Sequence, residues 1–179
     1  MSTHAAEVFV RDATAEDAAA CAAIYAPYVV ETAISFEEEP PTDEEMAVRI
    51  AKAQERHAWL VLVQDGRVVG YAYAGPFASR GAYRWSCETS IYIERGGARR
   101  GGGRALYAEL LTRLAGRGYR QAFGGYTLPN RASEGLHRAM GFRLTGVHRK
   151  AGFKHGEWRD VAWAQRDLGD GEGPPRDIG

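Results

Sequence analysis

Two adjoining stretches carry the groups best suited to chemistry. In the run from Trp85 to Ile93, Glu88, Ser90 and Tyr92 stand at alternate positions, so in a strand they share one face. A carboxylate amid Trp85, Ile91 and Tyr92 is partly desolvated, which raises its pKa toward the range of a general base. Glu88 serves equally well as a structural ion-pair partner, and the residues alone leave both readings open. Directly after the strand comes Glu94-Arg-Gly-Gly-Ala-Arg-Arg-Gly-Gly-Gly-Arg-Ala-Leu-Tyr107. Backbone N–H groups at a helix start have no partner within the helix and carry the positive end of its dipole. Glycines let the chain approach an anion closely and adopt φ > 0. Arg99, Arg100 and Arg104 add fixed positive charge around that opening. The chemistry expected of strand, glycine-rich turn and helix is phosphate binding; the competing reading is a flexible surface loop with solvated arginines.

The elements around these stretches follow from pattern. Glu7–Arg11 predicts a strand, and Thr14 with Asp17 a capping box before an alanine-rich helix to about Val30, which Pro27 must kink or end. Thr32–Phe36 predicts a loop or short extended piece, and Glu37–Pro41 a solvated loop. Thr42 and Glu45 form a second capping box, opening a helix through Met46, Val48, Ile50 and Ala53. Trp59–Val63 and Val68–Ala74 are strands joined by the hairpin signal Asp65-Gly66, with Gly75-Pro76 breaking the second. Phe77–Tyr83 is a loop, and Arg84–Ile93 a long central strand.

Leu106, Leu110, Leu111 and Leu114 make one apolar stripe on the helix that begins near Gly103 and stops at Gly116 and Gly118. Arg120–Thr127 is a strand. Leu128-Pro-Asn130 turns into a short helix, Ala132–Met140, closed by Gly141. Phe142–Val147 and Trp158–Gln165 form an antiparallel pair around Lys154–Glu157. The order is βααββββαβαββ, allowing one strand too many. It predicts an α/β protein with a mixed sheet and helices on both faces. Residues 1–168 form one domain, and 169–179 a disordered tail.

Bulk properties narrow the function. Lys plus Arg and Asp plus Glu both number 23, so the chain is neutral and offers no support for binding nucleic acid or a membrane surface. There is no G-x-x-x-x-G-K-[ST] and no G-x-G-x-x-G opening the first βαβ unit, which sets aside nucleoside-triphosphate and dinucleotide folds. Cys21 and Cys87 lie in no metal-ligand spacing and make no disulfide framework, so no metal is implied. The start lacks the regions of a signal peptide, and no run is long and apolar enough to span a bilayer. The expected location is the cytoplasm.

The loop, the element order and the Asn130 turn resemble the GNAT N-acetyltransferase superfamily. Ala98–Gly103 resembles its Q/R-x-x-G-x-G/A pyrophosphate loop, and Asn130–Phe142 resembles its second signature, ending in Gly-Phe. Ala72–Pro76, Arg80–Tyr83, Trp85–Ile93, Leu128–Asn130 and above all Ala151-Gly-Phe-Lys-His-Gly-Glu-Trp158 resemble the phosphinothricin acetyltransferase family, from about Val8 to Leu168. Two positions depart from the superfamily pattern. Ala98 replaces Gln or Arg at the first loop position, so a side-chain contact is lost while the backbone N–H groups remain. His137 stands where many members carry a tyrosine acid, as the phosphinothricin-type enzymes also have it.

The resemblance implies a GNAT fold with a mostly antiparallel central sheet, a homodimer, and acetyl transfer from acetyl-CoA to a primary amine. Glu88 becomes the base, acting directly or through water. Backbone N–H groups near Ile91 hold the oxyanion if the strand bulges there. His137 either protonates the leaving thiolate or simply hydrogen-bonds. Ile91, Tyr92 and Ile93 pair with the pantetheine amides. Arg99, Arg100, Gly101, Gly102, Gly103 and Arg104 take the pyrophosphate, and Asn130 the pantetheine arm.

For the acceptor, Arg80 is expected to hold a carboxylate or phosphinate. Phe36, Tyr83, Ser90 and Lys154 line the pocket with Glu88, whereas Tyr73, Trp85, Trp158 and Trp163 are expected in the core or an interface. The acceptor implied is a compact amino acid such as phosphinothricin or methionine sulfoximine. The alternatives are a polyamine or protein N-terminus as acceptor, or a catalytically silent coenzyme A-binding module.

Overall fold

The computed structural model describes residues 7–97, 100–169 and 172–179. Seven strands form one sheet in the order β1-β2-β3-β4-β5-β7-β6, and the chain order is βααβββαβαββ, one strand fewer than the pattern predicted. The strands are β1 (Val8–Asp12), β2 (Trp59–Gln64), β3 (Arg67–Pro76), β4 (Ser86–Ile93), β5 (Gln121–Thr127), β6 (Arg143–Lys154) and β7 (Glu157–Asp167). The helices are α1 (Ala18–Val30), α2 (Asp43–Arg56), α3 (Gly102–Arg117) and α4 (Arg131–Ala139). All neighbouring strands are antiparallel except β4 and β5, which are parallel.

β2 shows how alternation builds two cores. Leu60 and Leu62 face one side, where the α3 stripe of Leu106, Leu110 and Leu114 packs. Trp59, Val61 and Val63 face the other, against Cys21, Ile24 and Val29 of α1 and Met46 and Ile50 of α2. Each fully buried Leu or Val stabilises by about 1.5–3 kcal/mol relative to exposure. The Thr42 cap holds as expected: its hydroxyl accepts from Glu45 N–H at 3.2 Å and its N–H donates to the Glu45 carboxylate at 2.9 Å. Thr14 N–H donates to Asp17 at 2.8 Å, and Arg11 grips the same carboxylate at 2.7 and 2.9 Å.

Three local expectations need correction. α1 runs through Pro27 to Val30. The proline sits near the C-terminal end, where one missing N–H is tolerated, and its carbonyl accepts from Glu31 N–H at 2.9 Å. β3 does not break at Gly75-Pro76: these pair with Glu88 and Cys87. Its pairing with β2 has already ended at Tyr73, so Pro76 has no donor to supply on that open edge. α3 passes Gly116 and ends at Arg117, where Gly118 takes φ 106°.

β4 and β5 pair only over Ser86–Glu88 and Gln121–Phe123 and then part. The divergence opens a split in the middle of the sheet, with α3 starting beside one wall and α4 beside the other. At the sheet's end, β6 exposes Leu144, Val147 and Phe153, with Trp158 of β7 beside them. In the segment expected to be a disordered tail, Arg176 carbonyl accepts from the Trp85 indole at 2.7 Å and Gly179 N–H donates to Arg117 carbonyl at 3.0 Å.

Candidate active site

The split exposes backbone that a continuous sheet would consume. Glu94 N–H donates to Val69 carbonyl on the β3 side at 2.8 Å. Strand alternation therefore turns the N–H and C=O of Ile91 away from β3, toward the split. Trp85 carbonyl, on the same alternate series, accepts from Arg120 N–H of the β5 side at 2.8 Å. Ile91 thus offers a peptide-like ligand one donor and one acceptor, as a sheet edge does. Ile93 carbonyl, the next in the series, already accepts from the Tyr28 hydroxyl. The bulge invoked for an oxyanion donor is absent, since the β3–β4 register runs unbroken from Gly70↔Ile93 to Pro76↔Cys87. Separation of the strands, not a bulge, frees the Ile91 group.

At the mouth of the split, Gly101 caps α3 with φ 91°, a left-handed conformation that favours glycine. A Cβ on Gly102 would stand 2.7 Å from Leu62 Cδ2, so this turn packs directly on β2. The first α3 bond is Ala105 N–H to Gly101 carbonyl, at 3.1 Å, leaving the N–H groups of Gly102, Gly103 and Arg104 outside the helical ladder. Arg100 and Arg104 are exposed around them. Ala98 and Arg99 lie outside the described residues. What is present fits a diphosphate: glycine backbone, helix dipole and guanidinium charge converge at one point.

Glu88, the last β4 residue before the split, lines a cavity of about 480 Å³ with Phe36, Ser90, Tyr92, Tyr73 and Tyr126. The shared face of Glu88, Ser90 and Tyr92 is therefore as the spacing predicts. Burial raises the Glu88 carboxyl above its usual value. Its expected neighbours differ, however. Trp85 lies under the Arg84 guanidinium, 3.6 Å from its ring centroid, and Ile91 packs into the α3-side core. Tyr73 packs against the α1–α2 side core as expected but also lines the cavity, and Trp163, expected in core or interface, lines it too. Tyr25, Tyr126 and Trp163 were not foreseen here. Tyr25 packs edge-on to Tyr92 with centroids 4.8 Å apart, a contact between distant segments that spacing alone does not reveal.

Other expected site residues fall elsewhere. Arg80 and Tyr83 line a second cavity, with His57 and Tyr119, rather than that of Glu88. The turn over Gly81–Tyr83 carries them past the end of β3, and Tyr83 packs edge-on to Phe77 at 5.7 Å. Lys154 is 8 % exposed, and its ammonium donates to the carbonyls of Val29, Ser35 and Glu37 at 2.6, 2.6 and 2.8 Å. Its three donors are thereby satisfied within the protein. Asn130 Oδ1 accepts from Ser133 N–H at 3.0 Å and caps α4, which leaves its amide NH₂ as the group able to reach a ligand.

His137 is 6 % exposed and does not line the Glu88 cavity. Its Nδ1 lies 2.7 Å from Ser133 carbonyl and its Nε2 3.2 Å from the Tyr107 hydroxyl. Because a carbonyl only accepts, Nδ1 carries the proton and Nε2 accepts from Tyr107 in the neutral ring. Tyr107 in turn meets Thr89 Oγ1 at 2.6 Å. Burial lowers the His137 pKa, partly offset by the Ser133 bond. His137 is thus linked to β4 through the Tyr107 and Thr89 hydroxyls.

Fold and site together define a class: mixed-sheet proteins with a split between two parallel strands, a glycine-capped helix start at its mouth and a half-buried carboxylate beside it, a geometry suited to an anion-bearing, peptide-like ligand. Comparison with known proteins gives the family. Residues 10–163 match the family model described as an acetyltransferase (GNAT) domain. The chain is 38 % identical over 178 residues to a phosphinothricin N-acetyltransferase of Streptomyces viridochromogenes, covering 99 % of this chain and 97 % of that one. It is 42 % identical over 165 residues to one from Alcaligenes faecalis, covering 91 % and 82 %. The crystal structure of a GNAT superfamily phosphinothricin acetyltransferase from Sinorhizobium meliloti, in complex with AcCoA, superposes with a TM-score of 0.90 at 38 % identity, covering 94 % and 93 %. The chain belongs to the GNAT acetyltransferase family.

Proposed function

We propose that this protein transfers the acetyl group of acetyl-CoA to the primary amine of a compact amino acid of the phosphinothricin or methionine sulfoximine type. One observation carries the reading: Glu88, its pKa raised by burial, lines a cavity immediately beside the end of the β4–β5 ladder. The coenzyme's diphosphate would sit on the Gly101–Arg104 backbone with Arg100 and Arg104 around it. Its pantetheine arm would run along Ile91–Ile93 toward Asn130, taking the Ile91 carbonyl and leaving the Ile91 N–H to the thioester oxygen. The acceptor enters past Phe36 and Ser90.

An amine arrives at neutral pH as an ammonium and attacks only after losing a proton. Glu88 takes that proton, directly or through a water. The nitrogen lone pair then forms the N–C bond at the thioester carbonyl, with the Ile91 N–H facing the oxygen that gains charge. The C–S bond breaks, the attacking nitrogen sheds its second proton, and the leaving thiolate takes that proton up, giving the amide and the coenzyme thiol. The step needs no metal. His137 keeps the Tyr107 and Thr89 hydroxyls oriented at the floor of the split.

We further propose a homodimer located in the cytoplasm. The apolar, exposed β6–β7 end of the sheet supports the dimer, and the two free, buried cysteines Cys21 and Cys87 suit a reducing compartment. The deciding experiment is an acetylation assay with phosphinothricin and a panel of amino-acid and polyamine amines. Turnover on the compact amino acids supports the reading; coenzyme binding without turnover on any amine would make the chain a silent binding module.

A further inference from the structure

Resting on the acetyl-transfer reading, we propose that the tip of the β6–β7 hairpin, whose residues do not line the cavity, sets its acceptor side, with Lys154 and Gly152 as positioning residues that act through the loop at 31–41. That loop joins α1 to α2 and contains no helix or strand of its own. It nevertheless supplies Ile34, Ser35, Phe36 and Glu37 to the Glu88 cavity. Something else must hold it.

The holding group is a single ammonium. Lys154 Nζ bonds the last turn of α1 through Val29 carbonyl and both sides of Phe36 through Ser35 and Glu37 carbonyls. These bonds join positions more than a hundred residues apart and gather three carbonyls around one buried cation. His155, next on the hairpin, lies with Nε2 3.2 Å from Thr32 carbonyl. The Ser35 hydroxyl meets the Tyr25 hydroxyl at 2.7 Å, linking the same loop to another cavity-lining ring. The Arg49–Glu37 pair, at 2.7 and 3.2 Å, is exposed and adds little.

Phe36 itself is 41 % exposed, so the core does not fix it. Its ring lies against Gly152 of β6, where an added Cβ would stand 2.4 Å from Cε2. Gly152 thus grants the ring its place, and Lys154 fixes the backbone on either side of it. The two act on one wall of the acceptor cavity and lie apart from the coenzyme end of the split. The structure thereby separates acceptor positioning from coenzyme binding.

The test uses Lys154→Met, Gly152→Ala, Phe36→Ala and the Gly152→Ala/Phe36→Ala double variant, with phosphinothricin as acceptor. Rates are normalised to coenzyme A binding sites counted by calorimetry, and hydrogen exchange is followed in peptides spanning 31–41. Lys154→Met is expected to raise the acceptor KM at least tenfold, leave the acetyl-CoA KM within twofold, and speed exchange in 31–41 alone. Gly152→Ala is expected to raise the acceptor KM severalfold in the wild-type background and to change nothing further once Phe36 is alanine. Equal rises in both KM values, an unchanged acceptor KM, or a Gly152→Ala effect that persists without the Phe36 ring would overturn the proposal. Should the wild type acetylate no amine, the reaction assignment fails, and the hairpin's hold on the loop is still decided by the exchange data.

Discussion

Glu88 and Phe123 form the last rung on which β4 and β5 run side by side. One residue further on, the two parallel strands have no pairing, and the backbone of β4 faces open space. The carboxylate therefore stands at the point where the sheet changes from closed ladder to ligand edge. In the proposed mechanism, strand parting, coenzyme contact and proton acceptance meet there because one strand, Ser86–Ile93, carries all three.

Glu88→Gln tests the base directly. Glutamine keeps the shape of the side chain and cannot take a proton. General-base contributions of about 10²–10⁴-fold set the expected fall in kcat. The dissociation constant for acetyl-CoA should stay within about twofold, since that contact lies along the backbone and the α3 start. A kcat within threefold of wild type would remove Glu88 from the chemistry.

The acid limb of the pH profile follows from the same group. Burial raises the Glu88 pKa above 4.5, and only the ionised form accepts a proton. The logarithm of kcat/KM should rise with unit slope through an inflection above that value, and Glu88→Gln should lose the limb. For stability the sign is opposite: the fold favours the protonated form, so stability declines as pH rises from 4.5 through the folded pKa. Glu88→Gln should accordingly be at least as stable as wild type at pH 7 by its urea midpoint.

His137 predicts a separate pH effect on stability. Its folded pKa lies below 6.5, so below that pH the unfolded chain binds more protons than the native one. Stability should fall as pH drops from 6.5 through the folded value, by about 1.4 kcal/mol per unit of pKa difference at the limit. His137→Gln should be less stable overall, because the Tyr107 hydroxyl loses a well-placed acceptor. It should also be flatter over that interval in melting temperature against pH. An identical slope in variant and wild type would assign the effect to other groups.

Most of the fold was legible because its signals are local. Capping boxes at Thr14 and Thr42, the Asp65-Gly66 turn and the α3 leucine stripe each depend on residues within a few positions. So does the common face of Glu88, Ser90 and Tyr92. Apart from the helices that run through Pro27 and Gly116, the failures were non-local. Whether Pro76 ends a strand depends on where β2 stops pairing. Whether Lys154 meets a ligand or the protein depends on carbonyls at 29, 35 and 37. Arg80 and Glu88 are eight residues apart in sequence, yet they line different cavities.

The β6–β7 end of the sheet gives a prediction about assembly. Leu144, Phe153 and Trp158 are each about 60 % exposed, and Phe153 and Trp158 pack edge-on at 5.3 Å. Large exposed apolar side chains at an unpaired edge of the sheet suit a second copy. The wild type should sediment as a dimer at micromolar concentration, and Trp158→Glu should shift it to monomer. A wild type that sediments as a monomer would overturn the assignment of this face.

Gly101 and Gly66 allow conformation to be separated from binding. Both take left-handed φ, 91° at the start of α3 and 76° in the β2–β3 turn, and neither has an atom within 4 Å of a built Cβ. Alanine at either position meets the same backbone penalty, about 1–2 kcal/mol for an L-residue in that region. Melting temperatures of Gly101→Ala and Gly66→Ala should therefore fall by similar amounts. In the proposed binding mode Gly101, and not Gly66, presents its backbone to the diphosphate. Relaxing its φ would turn the first N–H groups of α3 off their common point, so Gly101→Ala should raise the acetyl-CoA KM about tenfold while Gly66→Ala leaves it unchanged. Equal coenzyme KM values in the two variants, at matched loss of stability, would mean that the α3 start does not grip the diphosphate.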